Sequence, residues 1–165
     1  MEMLTAFGVT KPEFLSGIAL RTRLGMSVIS LSGKGDPQKT FDEAEKKLYI
    51  WLKNKGVKSV GPAFGIYYLD REKVGVENVE WDACVQVEKP IETEGDIRFQ
   101  ILPQRRVIST TLTGGYDLIG PALKYLEQVA LANEINIRRP LTEIYLKEGG
   151  KVPVTELQYF VEEKK

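Results

Sequence analysis

The feature that most constrains this 165-residue chain is a sequence pattern that occurs twice. Three segments of the first half recur in the same order in the second half, at offsets of 79, 78 and 76 residues. Three ordered matches at nearly constant spacing indicate an internal duplication, so each half should form the same supersecondary unit. The matched positions are Val28 and Val107, Pro62 and Pro140, and Glu80 and Glu156.

Each half begins with the pattern of a strand followed by a helix. The runs at 28–32 and 106–112 are rich in β-branched residues and end at glycine, which predicts strands. In the first half, Asp36 as cap and Pro37 predict a helix start, and Gly56 predicts its end. The apolar residues of this helix recur on one face: Phe41, Ala44, Leu48, Trp51 and Leu52.

The second half repeats this order. Asp117 is the predicted cap of its helix, and Asn133 is the predicted end. Alternating apolar runs then predict two more strands after each helix. These strands are expected at 63–69 and 79–87 in the first half, and at 141–147 and 154–162 in the second.

The predicted fold class is therefore α+β, a tandem duplication of a strand-helix-strand-strand unit with antiparallel sheets and two helices. We predict one domain over residues 1–165. Repeat one is expected at about 26–88, a polar linker at about 89–96, and repeat two at about 97–163.

Charge and hydropathy limit the functions that this chain can have. Lys plus Arg and Asp plus Glu both number 23, so the formal net charge is zero. Because nucleic-acid binding favours a basic surplus, we expect no direct nucleic-acid partner. No apolar run reaches the roughly 20 residues that cross a bilayer. The N-terminus also lacks the apolar region of a signal peptide, so we expect a cytoplasmic protein without membrane contact.

The chain contains no histidine and a single cysteine, Cys84. Ser-His-Asp and Cys-His catalytic arrangements therefore lack their base. Zinc and redox-metal sites lack their usual ligands. We therefore expect no metal and no cofactor, and we assign no catalytic residue. Cys84 lies in an apolar run and is expected to be a buried, inert thiol.

Several motifs resemble those of a known family. They are GGYDL at 114–118, PLTEIYL at 140–146, VTELQYFV at 154–161 and WDACV at 81–85. Together with the duplication, they resemble the GyrI-like small-molecule-binding domain, which is also the effector-binding part of some MerR-type and AraC-type regulators. The resemblance extends from about residue 26 to the C-terminus. It implies a ligand groove between the two repeats, lined by aromatic residues and reached by a glutamate, which here is Glu143.

Strand alternation leads to a prediction about the faces of each sheet. Ile144 and Leu146 point to one side of their strand, and Glu143 and Tyr145 point to the other. Since aliphatic side chains suit the face under a helix, we predict that Glu143 and Tyr145 lie on the opposite, concave face.

The equivalent strand of the first half is expected to behave in the same way. There, Gly65 and Tyr67 should line the concave face, with Ile66 and Tyr68 on the helix side. The glycine would leave room where its counterpart in the second half supplies a charge. The candidate ligand-binding residues are Glu143, Tyr145, Tyr67, Trp81 and Tyr159.

A carboxylate among aromatic rings suits a cationic amphipath, which relieves the cost of the buried charge and gains cation–π attraction. We therefore predict a stand-alone sensor or sequestering protein for small amphipathic molecules, cationic or aromatic. Two alternatives stay open. One is a regulator that acts on a partner protein such as gyrase or a transcription factor. The other is a hydrolase of reactive cyclopropane-type compounds, with Glu143 as general acid. The ligand's identity and charge, and the oligomeric state, are left open.

Overall fold

The computed structural model describes residues 2–148 and 152–162. The chain divides into two units: unit 1 comprises Met1–Arg23 and Arg105–Lys165, and unit 2 comprises Leu24–Gln104. The strands are β1 Glu2–Leu4, β2 Ile18–Arg23, β3 Met26–Lys34, β4 Ser59–Tyr67, β5 Glu80–Val87, β6 Arg98–Leu102, β7 Arg105–Thr113, β8 Ile137–Lys147 and β9 Val154–Val161. The helices are α1 Pro37–Lys55, α2 Arg71–Val74 and α3 Ile119–Ala132.

Unit 2 is an antiparallel sheet in the order β4-β5-β3-β6, with α1 packed on one face. The predicted ends of α1 are confirmed. The Asp36 side chain accepts a hydrogen bond from the backbone N–H of Gln38 at 3.1 Å. Gly56 ends the helix in the left-handed region at φ 67°, which glycine adopts without a Cβ clash.

The apolar stripe of α1 faces the sheet with one exception. The indole of Trp51 is only partly buried and donates a hydrogen bond to Glu94 at 3.4 Å. The expectation that Trp51 belongs to the buried stripe is therefore wrong, because this position lies at the border of the helix face. The predicted stripe residues that are buried are Phe41, Ala44, Leu48 and Leu52.

Unit 1 is an antiparallel sheet in the order β1-β2-β7-β9-β8, and α3 packs over β7. Its core is largely aliphatic, and burial of each aliphatic side chain contributes about 1.5–3 kcal/mol. Fully buried members of this core are Ile18, Ile108, Leu112, Leu126 and Leu157.

The start of α3 differs from the prediction. Asp117 lies in a 3₁₀ turn, Tyr116–Leu118, and the helix begins after this turn with no side-chain cap from any described residue. The prediction that Asp117 caps the helix is therefore wrong, because the extra turn moves the helix start beyond its reach. Asn133 ends the helix as predicted.

The α+β class is confirmed, and each unit contains the predicted order of strand, helix, strand and strand. That order is β3-α1-β4-β5 in unit 2 and β7-α3-β8-β9 in unit 1. A duplication as the origin of this order stays a prediction. Strand β6 lies in the range expected for repeat two, yet it pairs with β3 of unit 2. Residue 163, the expected end of repeat two, lies outside the described residues.

Over residues 2–148 and 152–162, no helix is both long enough and apolar enough to cross a membrane. Helix α1 has 19 residues, but charged side chains cover its outer face. Helix α3 is more apolar, but its 14 residues are fewer than the roughly 20 that span a bilayer.

The cap of α1 gives a test of the fold. Asp36→Ala removes the acceptor for the Gln38 N–H and should lower the free energy of unfolding by about 1 kcal/mol. Urea denaturation followed by circular dichroism measures the change. Asp42→Ala, at an exposed position inside the same helix, is the matched control and should change stability by less than about 0.5 kcal/mol. Equal losses in both variants would contradict the capping role.

Candidate functional site

Glu143 is a buried carboxylate in the middle of β8. Only 1% of the Glu143 surface is exposed, and only 8% of the Tyr145 surface is exposed. The Tyr145 hydroxyl donates a hydrogen bond to Glu143 Oε1 at 3.0 Å. Residues two apart on a strand point to the same face, which allows this contact. The structure thus brings together two of the predicted site residues.

The face on which these two side chains lie is the one that α3 covers. Glu143 is the cross-strand partner of Leu157, which is fully buried. Tyr145 meets the ring of Tyr116, just before α3, edge-to-face at a centroid distance of 6.2 Å. Since directly paired residues share a face of the sheet, Glu143 and Tyr145 lie on the helix side of unit 1.

The predicted assignment of faces in β8 is therefore wrong. Ile144 pairs with Glu156 on the opposite face, and Leu146 is 47% exposed. The aliphatic residues were expected inside because burial usually follows hydrophobicity. In β8 the carboxylate and the tyrosine take the covered positions instead.

Tyr159 of β9 lies on the same face as Glu143. It is buried, and its hydroxyl donates to Glu127 Oε1 of α3 at 3.5 Å. The guanidinium of Arg139 lies 5.8 Å from the centre of its ring. Tyr159 is thus part of the layer between the sheet and α3, and not of the face opposite the helix on which the ligand groove was expected.

The two candidates of unit 2, Tyr67 and Trp81, form a cross-strand pair between β4 and β5. Both are buried, and the Phe41 ring of α1 lies 6.5 Å from Tyr67 and 5.3 Å from Trp81 between ring centroids. They therefore lie on the face that α1 covers, and the prediction that put Tyr67 on the opposite face is wrong. The guanidinium of Arg71 lies 4.8 Å from the centre of the Tyr67 ring.

The expectation that Gly65 leaves room for a ligand is also not met within unit 2. A Cβ added at Gly65 would lie 2.6 Å from the ring of Tyr67. A Cβ at Gly33 would likewise clash with the Trp81 ring. The space beside these glycines is therefore occupied by the aromatic residues themselves, which explains why no larger residue fits there.

A polar cluster that was not predicted from the sequence lies on the face of the unit 2 sheet opposite α1. The buried Asp82 carboxylate accepts hydrogen bonds from Ser32 Oγ at 2.5 Å and from the Tyr68 hydroxyl at 2.6 Å. Arg98 Nη2 donates to Ser32 Oγ at 2.5 Å and lies 3.7 Å from Asp82 Oδ1. These residues line a shallow cavity of about 680 Å³.

This cluster also corrects the placement of Tyr68, which was expected under the helix. Strand alternation puts Asp82 on the face opposite Trp81, so the sequence did carry a sign of the cluster. Burial and the hydrogen bond to Asp82 raise the pKa of Tyr68 above its ordinary value. The Asp82 charge is balanced by Arg98, which favours a structural role for the cluster.

A family model for the GyrI-like small molecule binding domain matches residues 18–161. The match assigns the chain to the small-molecule-binding domains. The chain belongs to the GyrI-like family, as the resemblance of its motifs predicted.

Solved structures share this fold. A cryo-EM structure of an EcmrR–DNA complex has a TM-score of 0.79 at 20% identity, covering 92% of this chain and 59% of that one. The crystal structure of the EcmrR C-terminal domain has a TM-score of 0.76 at 24% identity, covering 89% and 98%. This chain thus spans 59% of the EcmrR chain and nearly all of its C-terminal domain.

Two more distant structures also share the fold. A hydrolase from Listeria innocua has a TM-score of 0.64 at 14% identity, covering 88% of this chain and 91% of that one. SAV2435 bound to tetraphenylphosphonium has a TM-score of 0.56 at 9% identity, covering 88% and 93%. At these identities the likeness shows the fold alone. A search of curated proteins found no match.

Tyr145→Phe tests the buried contact at the centre of the candidate site. It removes the hydroxyl that donates to Glu143 and keeps the ring. A hydrogen bond to a charged group contributes about 1.5–3 kcal/mol, so urea denaturation at pH 7 should show a loss of that order. The same change in a Glu143→Gln background should cost less, because the acceptor is then neutral. Equal losses in both backgrounds would contradict this contact.

Tyr68→Phe tests the polar cluster through pH dependence. Because the pKa of Tyr68 is higher in the folded than in the unfolded protein, the folded state binds more protons above about pH 10. The stability of the wild type should therefore fall as pH rises through this range, and this contribution should be absent in Tyr68→Phe. Urea denaturation between about pH 9 and 11 measures the difference. Parallel curves for the two proteins would rule out the raised pKa.

Proposed function

We propose that this domain binds small cationic amphipathic molecules and that the Glu143 carboxylate contacts the cation. The observation that carries the proposal is the near-complete burial of this carboxylate beside the Tyr145 ring. A charge removed from water is costly, and a cationic ligand offsets that cost. Neighbouring aromatic rings add cation–π attraction of about 0.5–2 kcal/mol.

We propose that the other candidate residues supply aromatic contacts. Tyr159 is suited to this role because it shares the α3-covered face with Glu143. Tyr67 and Trp81 are the candidates from unit 2, where they form an aromatic layer with Phe41. Because both side chains are buried, a ligand must displace neighbouring side chains to reach them.

The comparison with SAV2435 supports a cationic aromatic ligand. That protein has been solved with tetraphenylphosphonium, a lipophilic cation, and it shares the fold of this chain. Tetraphenylphosphonium is therefore a suitable probe: it has a positive charge, four rings and no hydrogen-bonding group.

The proposed cellular role is that of a sensor or sequestering protein. The likeness to the C-terminal domain of EcmrR, a protein solved in complex with DNA, supports a link to regulation. For this chain, regulation would act through a protein partner such as gyrase or a transcription factor rather than through direct contact with nucleic acid.

A second candidate function is hydrolysis of a reactive small molecule. The fold likeness to the Listeria innocua hydrolase favours it. Within unit 1, the Glu143 carboxyl group with its Tyr145 hydroxyl could act as a general acid on a bound electrophile. The two functions differ in turnover: a hydrolase releases more than one product molecule per protein chain.

Binding of tetraphenylphosphonium to Glu143→Gln tests the lead proposal. The variant keeps the size of the side chain and removes its charge. A charge-assisted contact contributes about 1.5–3 kcal/mol, so the dissociation constant should rise at least tenfold in isothermal titration calorimetry.

Glu80→Gln is the matched control because it removes the same charge from an exposed strand position. It should leave affinity within about twofold of wild type, since exposed charges are screened by solvent. If Glu143→Gln binds as tightly as the control, the site assignment is wrong. Product formation with a cyclopropane-bearing substrate, above one equivalent and lost in Glu143→Gln, would favour the hydrolase instead.

A further inference from the structure

Thr155 carries a buried hydroxyl that has no hydrogen-bond partner among the described residues. The residue lies in β9 and is 1% exposed. Buried hydroxyl groups are nearly always hydrogen-bonded, because an unmade bond destabilises the folded state. A ligand that binds next to this hydroxyl would supply the missing hydrogen-bond partner.

The position of Thr155 connects it to the proposed site. Thr155 is the cross-strand partner of Tyr145 on one side and of Leu112 on the other. It therefore lies on the α3-covered face, the same face as Glu143. Tyr145 adjoins both groups, since it is hydrogen-bonded to Glu143 and paired with Thr155. A ligand that displaces the Tyr145 ring would meet the carboxylate and the hydroxyl together.

We propose that the Thr155 hydroxyl donates a hydrogen bond to the bound ligand and thereby selects among cationic amphipaths. The inference rests on the proposed function of Glu143 and deepens it. An ionised carboxylate only accepts hydrogen bonds, whereas a threonine hydroxyl can also donate one. The ligand class is therefore a cationic aromatic molecule that also carries a hydrogen-bond acceptor, such as an ether or carbonyl oxygen, near its charge.

Thr110 offers a matched comparison within the same sheet. It is 2% exposed on the α3-covered face of β7, but its hydroxyl donates to the Ser16 carbonyl at 2.9 Å. Both residues can be changed to valine, which keeps the shape and removes the hydroxyl. Only Thr110→Val should therefore remove a hydrogen bond of the ligand-free fold.

The first arm of the experiment measures thermal unfolding without ligand. Thr110→Val should lower Tm by about 2–4 °C, the shift expected for one hydrogen bond in a domain of this size. Thr155→Val should keep the wild-type Tm or raise it, because it replaces an unpaired hydroxyl with a methyl group. A drop in Tm as large as that of Thr110→Val would show that the hydroxyl has a partner in the fold, and would overturn the proposal.

The second arm measures binding of two kinds of probe by calorimetry. Tetraphenylphosphonium has no acceptor. The 2-, 3- and 4-methoxyphenyl triphenylphosphonium ions add one ether oxygen at three positions. At least one of these three should bind Thr155→Val about five- to tenfold more weakly than wild type, the effect of one hydrogen bond. Tetraphenylphosphonium should bind both proteins within about twofold.

The outcomes separate this inference from the function on which it rests. If Glu143→Gln leaves tetraphenylphosphonium binding unchanged, the proposed function fails. If that variant weakens binding but none of the methoxy probes distinguishes Thr155→Val from wild type, only the role of Thr155 fails. An equal loss for tetraphenylphosphonium and the methoxy probes would mean that Thr155 acts through packing, which also overturns the proposal.

Discussion

A β-strand sends successive side chains to opposite faces, and in each unit of this chain a helix covers one face of the sheet. In unit 1 the covered face receives Leu157 and Tyr159 of β9, and with them Glu143 of β8. A shift of β8 by one residue would bring Glu143 to the opposite face, but it would move every other side chain of the strand as well. Burial of the carboxylate is therefore imposed by the register that also builds the core.

The two units fill their covered faces differently. In unit 2 the face under α1 is closed by aromatic packing of Phe41 against Tyr67 and Trp81, and the glycines beneath these rings admit no side chain. In unit 1 the equivalent strand carries a carboxylate with its hydroxyl donor. An aromatic layer stabilises the fold by itself, whereas a buried charge costs stability unless it is paired. The covered face of unit 1 therefore differs from that of unit 2 in holding a strand carboxylate, Glu143, beside a tyrosine hydroxyl.

Much of the fold could be predicted from the sequence. The cap at Asp36, the end at Gly56 and the order of strands and helices follow from local chemistry, so the structure confirms them. The start of α3 could not be predicted, because the 3₁₀ turn at 116–118 has no strong signature in the residues. The role of the candidate site residues stays a prediction, and only their placement in the fold is known. Glu143 and Tyr145 were predicted to share a face of β8, and they do. That face was predicted to lie opposite the helix, but α3 covers it.

The sequence by itself determined the residue composition and the order of the secondary-structure elements. It predicts an α+β chain with no histidine, one cysteine, and motifs that assign it to the GyrI-like family. Tertiary structure alone decided which face of each sheet the helix covers. It also brought Asp82 to Ser32, 50 residues away in sequence, and left Thr155 buried without a hydrogen-bond partner among the described residues. The reason is physical. Alternation along a strand is a local property: it tells which side chains share a face, but not which of the two faces the helix covers. The face that the helix covers depends on contacts between residues that are distant in sequence.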